Sequence, residues 1–282
     1  MGTRFTTWFL YIISLTLLLA GCGISSNLPV PAVYAASKPN KTTLTVFAAA
    51  SLTESFTEMA ATFEADHPQV KLLLNFAGSN SLRLQIEQGA RSDVFASANT
   101  RHMDAVFQAN LVDQPAIFAH NQLVAIVPAD NPASVVTLAD LAEPGLKLVL
   151  AGPEVPVGRY ARQALGNLST NPSLGQDFAG LVLSNVVSDE ETVKAVVTKV
   201  LLGEADAGIV YTSDVTPAVA DQMLTLTIPA EYNVIADYPI SAATDSYQPE
   251  LAQEFINFVL SARGQAIMAK YGFKPILQVQ TD

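Results

Sequence analysis

The sequence predicts an α/β protein in which strands and helices alternate in two blocks. Three observations support this: short apolar runs recur along the chain, segments with helical apolar spacing follow them, and turn-forming residues lie between. A strand, a crossover helix and a second strand in succession favour a mostly parallel, doubly wound sheet. A chain of 282 residues is long enough for two medium-sized domains with their own cores.

The first block repeats a strand–helix unit. Its first helix is predicted to begin at Ser51, because Ser51 and Glu54 match a capping box. His67-Pro68 should end that helix, since the residue before proline is pushed out of the helical region. The other elements predicted here are strands at residues 45–50, 71–77 and 93–97, a helix after the turn at 78–80 and a helix around 103–107.

The second block has the same alternation, with Thr137 predicted to cap a short helix. A C-terminal helix is predicted from Pro249, because proline is favoured in the first helical turn and an apolar face follows it. The other predicted elements are strands at residues 122–127, 147–150, 207–211, 224–228 and 234–242, a helix at 159–168 and a helix ending near residue 202.

Two lobes accommodate these blocks. The chain is predicted to pass into the second lobe near Gln122 and to return near Pro229. Lobe 1 would comprise residues 43–122 and 229–282, and lobe 2 residues 123–228, with a two-stranded hinge between them. Ligands commonly bind in such clefts and at the carboxyl ends of parallel strands.

Composition excludes several functional classes. The chain is 50% hydrophobic and 15% charged, as in globular proteins. A net charge of −11 argues against nucleic-acid binding, which uses clustered Lys and Arg. The single cysteine, Cys22, and three separated histidines form neither a disulfide framework nor a His-rich metal motif.

The N-terminus has the features of an export signal. Arg4 precedes an apolar run that is shorter than the roughly 18 residues a spanning helix needs. Residues 19–22 (LAGC) resemble the lipobox of bacterial lipoproteins, which implies cleavage before Cys22 and lipidation of its thiol. Residues 1–21 would then be the signal peptide and 22–42 a flexible tether. Alternatives are ordinary cleavage near Ala35 and a chance buried cysteine; either cleavage predicts a location outside the cytoplasm.

Sequence motifs of enzymes and nucleotide-binding sites are missing. The chain contains no G-x-S-x-G, no P-loop, no H-E-x-x-H and no strand-linked G-x-G-x-x-G. His67, His102 and His120 lie in polar or helix-end contexts typical of surface residues. A hydrolase that uses Ser51 or Ser79 as nucleophile stays open as an alternative, because a triad can be assembled from distant positions.

Three predicted strand-to-helix corners present hydrogen-bond donors. Ser51 and Ser79 each follow a strand and open a helix, and Val157-Gly158 offers backbone amides in the same setting. Helix N-termini carry unpaired amides and a partial positive charge, which makes them anion sites. The alternative for each serine is a purely structural N-cap worth about 1 kcal/mol.

Several segments in this order resemble the molybdate-binding proteins of ABC transporters. The resemblance covers the chain from about residue 44 to 273. It is carried by residues 46–53 (VFAAASLT), 76–79 (FAGS), 93–98 (DVFASA), 155–161 (VPVGRYA), 208–214 (GIVYTSD) and 270–273 (KYGF).

The resemblance implies a two-lobed periplasmic-binding-protein fold, with two doubly wound mixed sheets joined by a two-stranded hinge and an oxyanion site in the cleft between the lobes. The implied ligands of the oxyanion are the hydroxyls and amides of Ser51 and Ser79, the amides of Val157 and Val193, and the Tyr211 hydroxyl. Valine at position 157 is a departure, because the family often has alanine there. It also implies molybdate or tungstate as the bound ligand, a membrane permease as partner, no cofactor and no directly coordinated metal cation. We expect a lipid-anchored monomer.

Val193 presents a conflict between two helix starts. Ser188 and Glu191 match a capping box that would occupy the Val193 amide inside the helix. For Val193 to bind a ligand, Thr192 must be the N-cap, and we predict that it is. Residues 189–191 (DEE) must then point away from the anion.

All five implied contacts are neutral donors. Such a site suits a deprotonated tetrahedral dianion, whereas hydrogen phosphate would require a carboxylate acceptor. Nearby Arg159 and Lys194 are interpreted as surface charges on helices. Sulfate or another small oxyanion is the alternative ligand, because pocket size cannot be inferred from sequence.

Overall fold

The computed structural model describes residues 41–276. The predicted signal peptide, Cys22 and nearly all of the tether lie outside the described residues. Within residues 41–276 the strands are β1 Thr42–Ala49, β2 Val70–Ala77, β3 Val94–Ala96, β4 Ala116–Pro128, β5 Leu148–Ala151, β6 Val186–Glu190, β7 Ala207–Tyr211, β8 Met223–Thr227, β9 Ile235–Ala242 and β10 Lys274–Pro275. The α-helices are α1 Thr53–Asp66, α2 Ser79–Glu87, α3 Thr100–Gln108, α4 Pro156–Leu168, α5 Phe178–Ser184, α6 Val193–Leu201, α7 Pro249–Leu260 and α8 Ala262–Lys270.

The sheet is parallel at its two ends and antiparallel in the middle. Its strand order is β2-β1-β3-β9-β4-β7-β5-β6, and β8 and β10 also pair with β4. β1 runs parallel to β2 and β3, and β5 runs parallel to β6 and β7. Every pairing of β4 and β9 is antiparallel. The sheet is therefore mixed, as the fold class predicts, and its antiparallel centre is where strands far apart in sequence meet.

β4 connects two sets of strands. Its residues 116–122 pair with β9, whereas residues 123–128 pair with β7 and β8. We refer to residues 41–122 and 229–276 as the first half and to residues 123–228 as the second half. The change of partner falls at the predicted passage between lobes, although by contact the described residues form one compact unit. The lobe boundaries stay a prediction.

Asn233, in the segment that leads back to the first half, hydrogen-bonds to β4 where that strand changes partner. Its Oδ1 accepts a hydrogen bond from the Leu123 amide at 3.1 Å, and its Nδ2 donates to the Leu123 carbonyl at 2.9 Å. The Asn233 side chain thus supplies the hydrogen bonds that a neighbouring strand would otherwise make to the backbone of Leu123. The two connections between the halves are held together where they run side by side.

Aromatic side chains form much of the core of the first half. Phe56 and Phe63 of α1 pack against Phe255 of α7 with ring centroids 6.1 and 5.4 Å apart. Phe118 of β4 contacts Phe56 at 5.7 Å. The predicted apolar faces of α1 and α7 are therefore directed toward each other and toward β4. Among the described residues, no helix combines the length and apolarity needed to cross a membrane.

Local sequence signals located some element boundaries well. β7 occupies residues 207–211 as predicted, α7 begins at Pro249, and α1 ends at Asp66, just before His67-Pro68. The prediction for Thr137 was wrong: the short 3-10 helix is Ala139–Ala142, and Asp140 accepts the Val136 and Thr137 amides instead. Elements missed altogether are α5, α8, β6, β10 and the first half of β4.

α4 begins at Pro156, three residues before the predicted start, and it packs closely on β5. Gly158 makes this approach possible, because a Cβ there would overlap the carbonyl oxygens of Ala151 and Gly152. A larger residue would push the start of α4 away from the sheet.

Gly158→Ala should therefore lower the free energy of unfolding by about 3 kcal/mol, because overpacking against backbone cannot relax by side-chain rotation. Urea denaturation followed by circular dichroism measures this change. Gly166→Ala in the same helix is the matched control, since no atom lies within 4 Å of its added Cβ. That control should be neutral or slightly stabilising. Equal effects of the two substitutions would contradict the packing argument.

Candidate functional site

A small cavity lies between the two halves, at the ends of β1, β2 and β7. Its free volume is about 10 Å³, far below the range of pockets for drug-sized ligands. The structure brings all five sequence-predicted residues to it. The lining residues are Ala49, Ala50, Ser51, Gly78, Ser79, Ala98, Val155, Pro156, Val157, Val193 and Tyr211.

Three helices begin at this cavity. α2 begins at Ser79, α4 at Pro156 and α6 at Val193, so the first half contributes one N-terminus and the second half two. The first backbone amides of a helix have no partner within it and carry partial positive charge. Val157 and Val193 occupy the second and first positions of their helices, where their amides are available to a ligand.

Ser79 lies where the sequence predicts, as the first residue of α2. Gly78, and not Ser79, occupies the N-cap position of α2, and no side chain caps this helix. The Ser79 hydroxyl is therefore not used to stabilise the helix start. Instead, its Oγ accepts a hydrogen bond from the Ala98 amide at 3.0 Å. No hydrogen bond donated by this hydroxyl is found within residues 41–276, which leaves its proton for a ligand.

Ser51 reaches the cavity, but the predicted capping box is wrong. Ser51 belongs to a 3-10 turn, Ala50–Leu52, and α1 begins only at Thr53. The Ser51 Oγ lies 2.9 Å from the Tyr238 Oη. Glu54 is engaged with Lys194 of the second half, with its two oxygens 2.7 and 2.9 Å from the Nζ. Both members of the expected box therefore have partners that lie far away in sequence.

The predicted N-cap at Thr192 is confirmed. Thr192 Oγ1 accepts a hydrogen bond from the Ala195 amide at 3.2 Å, and α6 begins at Val193. The competing box from Ser188 does not form, because Ser188 lies in β6. Residues 186–190 (VVSDE) gave no strand signal, since three of the five are polar and this strand at the sheet edge exposes alternate residues.

The acidic residues that precede α6 point away from the cavity, as its chemistry requires. Asp189 forms an ion pair with Arg162, Glu190 forms one with Lys199, and Glu191 is exposed. None of the three lines the cavity.

Tyr211 ends β7 with its hydroxyl at the cavity. Its side chain is buried, and within the described residues its Oη has no hydrogen-bond partner. Burial raises the pKa of Tyr211 well above its usual value, so the hydroxyl keeps its proton. A buried hydroxyl without a partner costs free energy, and such groups in native proteins call for an explanation.

Lys194 is not the surface charge that we predicted from the sequence, whereas Arg159 is exposed as expected. Lys194 pairs with Glu54 across the cleft and also lies 3.2 Å from a carboxylate oxygen of Asp214. Burial lowers the pKa of Lys194, but the two carboxylates outweigh this and raise it. Burial raises the pKa of Asp214 to about 6. The ammonium group is thus neutralised by acids rather than exposed to solvent.

The three histidines are engaged elsewhere. His67 contacts Glu254, His102 Nε2 contacts the Glu154 carbonyl at 3.0 Å, and His120 contacts Asp237. No histidine bonds to Ser51 or Ser79 in residues 41–276, so the triad required by the hydrolase hypothesis is not assembled there. The described part of the chain also has no cluster of His, Cys, Asp and Glu suited to a metal ion.

Comparison with known proteins places the chain in a family. The family model described as "Bacterial extracellular solute-binding protein" matches residues 44–274. The chain belongs to this family. Solute-binding proteins of this family lie outside the cytoplasm, in agreement with the predicted export signal.

Individual relatives share most of their length with the chain. The molybdate-binding protein ModA of Mycobacterium tuberculosis is 38% identical over 256 residues, which is 90% of this chain and 92% of the relative. The ABC transporter substrate-binding lipoprotein YvgL of Bacillus subtilis is 28% identical over 95% of this chain and 98% of its own.

A solved structure, the substrate-binding domain of a molybdenum ABC transporter from Clostridium difficile, matches with a TM-score of 0.62 and 32% identity. The match covers 84% of this chain and all of that one. The predicted fold class and the resemblance to molybdate-binding proteins are confirmed.

Tyr238, Asn121 and Lys194 adjoin the site and were missed from sequence. Tyr238 contacts Ser51 across 187 positions of the chain, and Lys194 contacts Glu54 across 140. No local pattern predicts such pairs.

Lys194→Met should lower the free energy of unfolding by about 3 kcal/mol at pH 8, because it leaves the buried Asp214 carboxylate without its cation. The raised pKa of Asp214 means that its contribution favours folding at low pH and is lost as pH rises through about 6. The penalty of the substitution should accordingly shrink at pH 5, where Asp214 takes up a proton. Urea titrations at both pH values measure it.

Lys71→Met is the control for this experiment, because Lys71 forms an exposed ion pair with Glu64. Its effect should be small and equal at the two pH values. A loss in the Lys194 variant that does not depend on pH would rule out Asp214 as the cause.

Proposed function

We propose that this protein captures molybdate outside the cytoplasm and delivers it to a membrane permease of an ABC transporter. The observation that carries this proposal is the buried Tyr211 hydroxyl, which has no partner within residues 41–276 and faces the same cavity as the Ser51 and Ser79 hydroxyls. The names of its M. tuberculosis and C. difficile relatives support molybdate as the ligand. Tungstate, an oxyanion of the same geometry and charge, should bind as well.

The donor set favours an anion that carries no proton. Three hydroxyls and the amides of three helix starts converge on the cavity, and no carboxylate lines it. A tetrahedral dianion can accept hydrogen bonds on all its oxygens, whereas hydrogen phosphate must also donate one. The cavity also limits the ligand to a small ion. Ser51, Ser79, Val157, Val193 and Tyr211 are the residues we propose to bind it.

Binding should draw the two halves together, because each half provides part of the donor set. Direct contacts between the halves support this. Besides Glu54 with Lys194, Arg101 of α3 lies 3.0 Å from Glu154, and His102 contacts the Glu154 carbonyl. We propose that this arrangement is the one the permease recognises. The protein would act as a monomer without a cofactor and would perform no covalent chemistry.

We further propose that Cys22 is lipidated after cleavage of residues 1–21. The LAGC segment at residues 19–22 supports this, as does the naming of the B. subtilis relative as a lipoprotein. The tether, residues 22–42, would then separate the membrane from the folded body.

Isothermal titration calorimetry of the mature domain with molybdate, tungstate, sulfate and phosphate tests the ligand. Molybdate and tungstate should bind most tightly and phosphate most weakly. Ser51→Ala, Ser79→Ala and Tyr211→Phe should each weaken molybdate binding by about tenfold or more, because each removes a hydrogen bond to a charged group.

Ser81→Ala is the matched control, since Ser81 lies in α2 close to Ser79 but does not line the cavity. Weak, equal heats with all four anions would refute the proposed ligand class. If sulfate binds most tightly, the protein still binds a small oxyanion as proposed, but its ligand is sulfate and not molybdate. Unchanged affinity in all three variants would show that the site is elsewhere.

Cys22→Ser should release the protein from the membrane fraction when the full-length chain is expressed in a bacterial host. The serine hydroxyl cannot take the thioether-linked lipid that the thiol would carry. Cell fractionation and incorporation of labelled fatty acid measure the outcome. Lipid anchoring would be disproved if the unaltered protein, with Cys22, is found in the soluble fraction and its signal peptide is cleaved near Ala35.

A further inference from the structure

We propose that Tyr238 is a positioning residue that turns the proton of the Ser51 hydroxyl toward the bound oxyanion. This inference rests on the proposed function and adds to it a residue that does not line the cavity. Tyr238 lies in β9, is buried, and contacts the Ser51 Oγ with its Oη at 2.9 Å. Either oxygen of that pair could donate, and the direction decides what Ser51 offers to a ligand.

Asn121 favours one direction of this hydrogen bond. Its side-chain Oδ1 accepts from the Gln122 amide at 2.9 Å and from the Thr212 hydroxyl at 3.0 Å. A backbone amide can only donate, so the atom facing Gln122 must be the oxygen of the Asn121 carboxamide. The opposite atom is therefore the nitrogen, which has two protons to donate and no capacity to accept.

The Asn121 nitrogen directs its protons at two hydroxyls. It lies 2.8 Å from Ser213 Oγ and 3.5 Å from Tyr238 Oη, the second being a long contact. Since Tyr238 Oη receives a proton on this side, we assign its own proton to Ser51 Oγ, which at 2.9 Å is its shortest hydrogen-bond contact. The Ser51 oxygen thus accepts from Tyr238, and the Ser51 proton has no protein acceptor within residues 41–276.

The position of Tyr238 is fixed by ring contacts. Phe118, Tyr211 and Phe273 surround its ring with centroids 6.2, 5.8 and 5.3 Å away, each in an edge-on arrangement. Burial also raises the pKa of Tyr238 above its usual value, which keeps the donating proton in place. Side-chain rotation and ionisation are therefore both opposed, and the hydrogen bond to Ser51 has a constant direction before the ligand arrives.

Ser79 has the equivalent arrangement from a different donor. Its Oγ accepts the Ala98 amide, so its proton is also left for the cavity. Tyr238 thus donates to the Ser51 oxygen as the Ala98 amide donates to the Ser79 oxygen. Both serine protons then point toward the anion before it binds, and neither hydroxyl has to break another hydrogen bond and reorient.

A double-mutant cycle tests the proposal by calorimetric titration with sodium molybdate. Tyr238→Phe should weaken binding about tenfold in the otherwise unchanged protein, because the Ser51 proton is no longer directed at the ligand. In the Ser51→Ala background the same substitution should change the affinity less than about twofold, because there is no hydroxyl left to orient. Phenylalanine keeps the ring packing, and a urea titration without ligand compares the stabilities.

Tyr232→Phe is the matched control, since Tyr232 is half-buried and does not line the cavity. It should leave molybdate affinity unchanged in both backgrounds. Equal weakening by Tyr238→Phe in both backgrounds would show a merely structural role and overturn the proposal, and so would an unchanged affinity. If the unaltered protein binds none of the four oxyanions, the proposed function itself fails. Molybdate binding without coupling between Tyr238 and Ser51 rejects only the positioning role.

Discussion

β4 is shared between two sets of strands, and its change of partner between Gln122 and Leu123 determines where the site can form. Before this point it pairs with β9, which is linked to β1 through β3; after it, the strand pairs with β7, which is linked to β5. Helices that follow β2, β5 and β6 therefore begin at one place. Asn233 holds the second connection against the same point. The cavity is a consequence of this shared strand.

Charge around the cavity is arranged so that dipoles, and not full charges, face its interior. Four acidic side chains nearby are paired with cations: Lys194 pairs with both Glu54 and Asp214, Arg162 with Asp189, and Lys199 with Glu190. Pairing reduces the repulsion that an anion would meet in a chain of net charge −11. Three helix N-termini then supply donors and partial positive charge at short range.

Hydroxyl groups can donate or accept, and the surrounding structure decides which they do at this site. Ser79 accepts a backbone amide, and Tyr211 is buried with its proton uncommitted among the described residues. A site that presents only protons distinguishes anions by whether they themselves carry a proton. Such a distinction does not depend on a charged residue in the cavity, in keeping with the neutral lining that is observed.

Local sequence determined much of the fold and the composition of the site. The strand at residues 207–211 and the helix start at Pro249 follow from local sequence patterns, and they were predicted correctly. The Thr192 cap was also predicted correctly, but from the role that the resemblance gives to Val193. The resemblance predicted five residues as ligands, and all five line the cavity. Tertiary structure alone decided the antiparallel centre of the sheet, the partner of Lys194 and the contact between Ser51 and Tyr238. These depend on groups that are far apart in sequence, 140 positions for Lys194 with Glu54 and 187 for Ser51 with Tyr238, whose meeting requires the folded chain. The Ser51–Glu54 box failed for the same reason, because long-range hydrogen bonds and an ion pair engaged both side chains instead of the local cap.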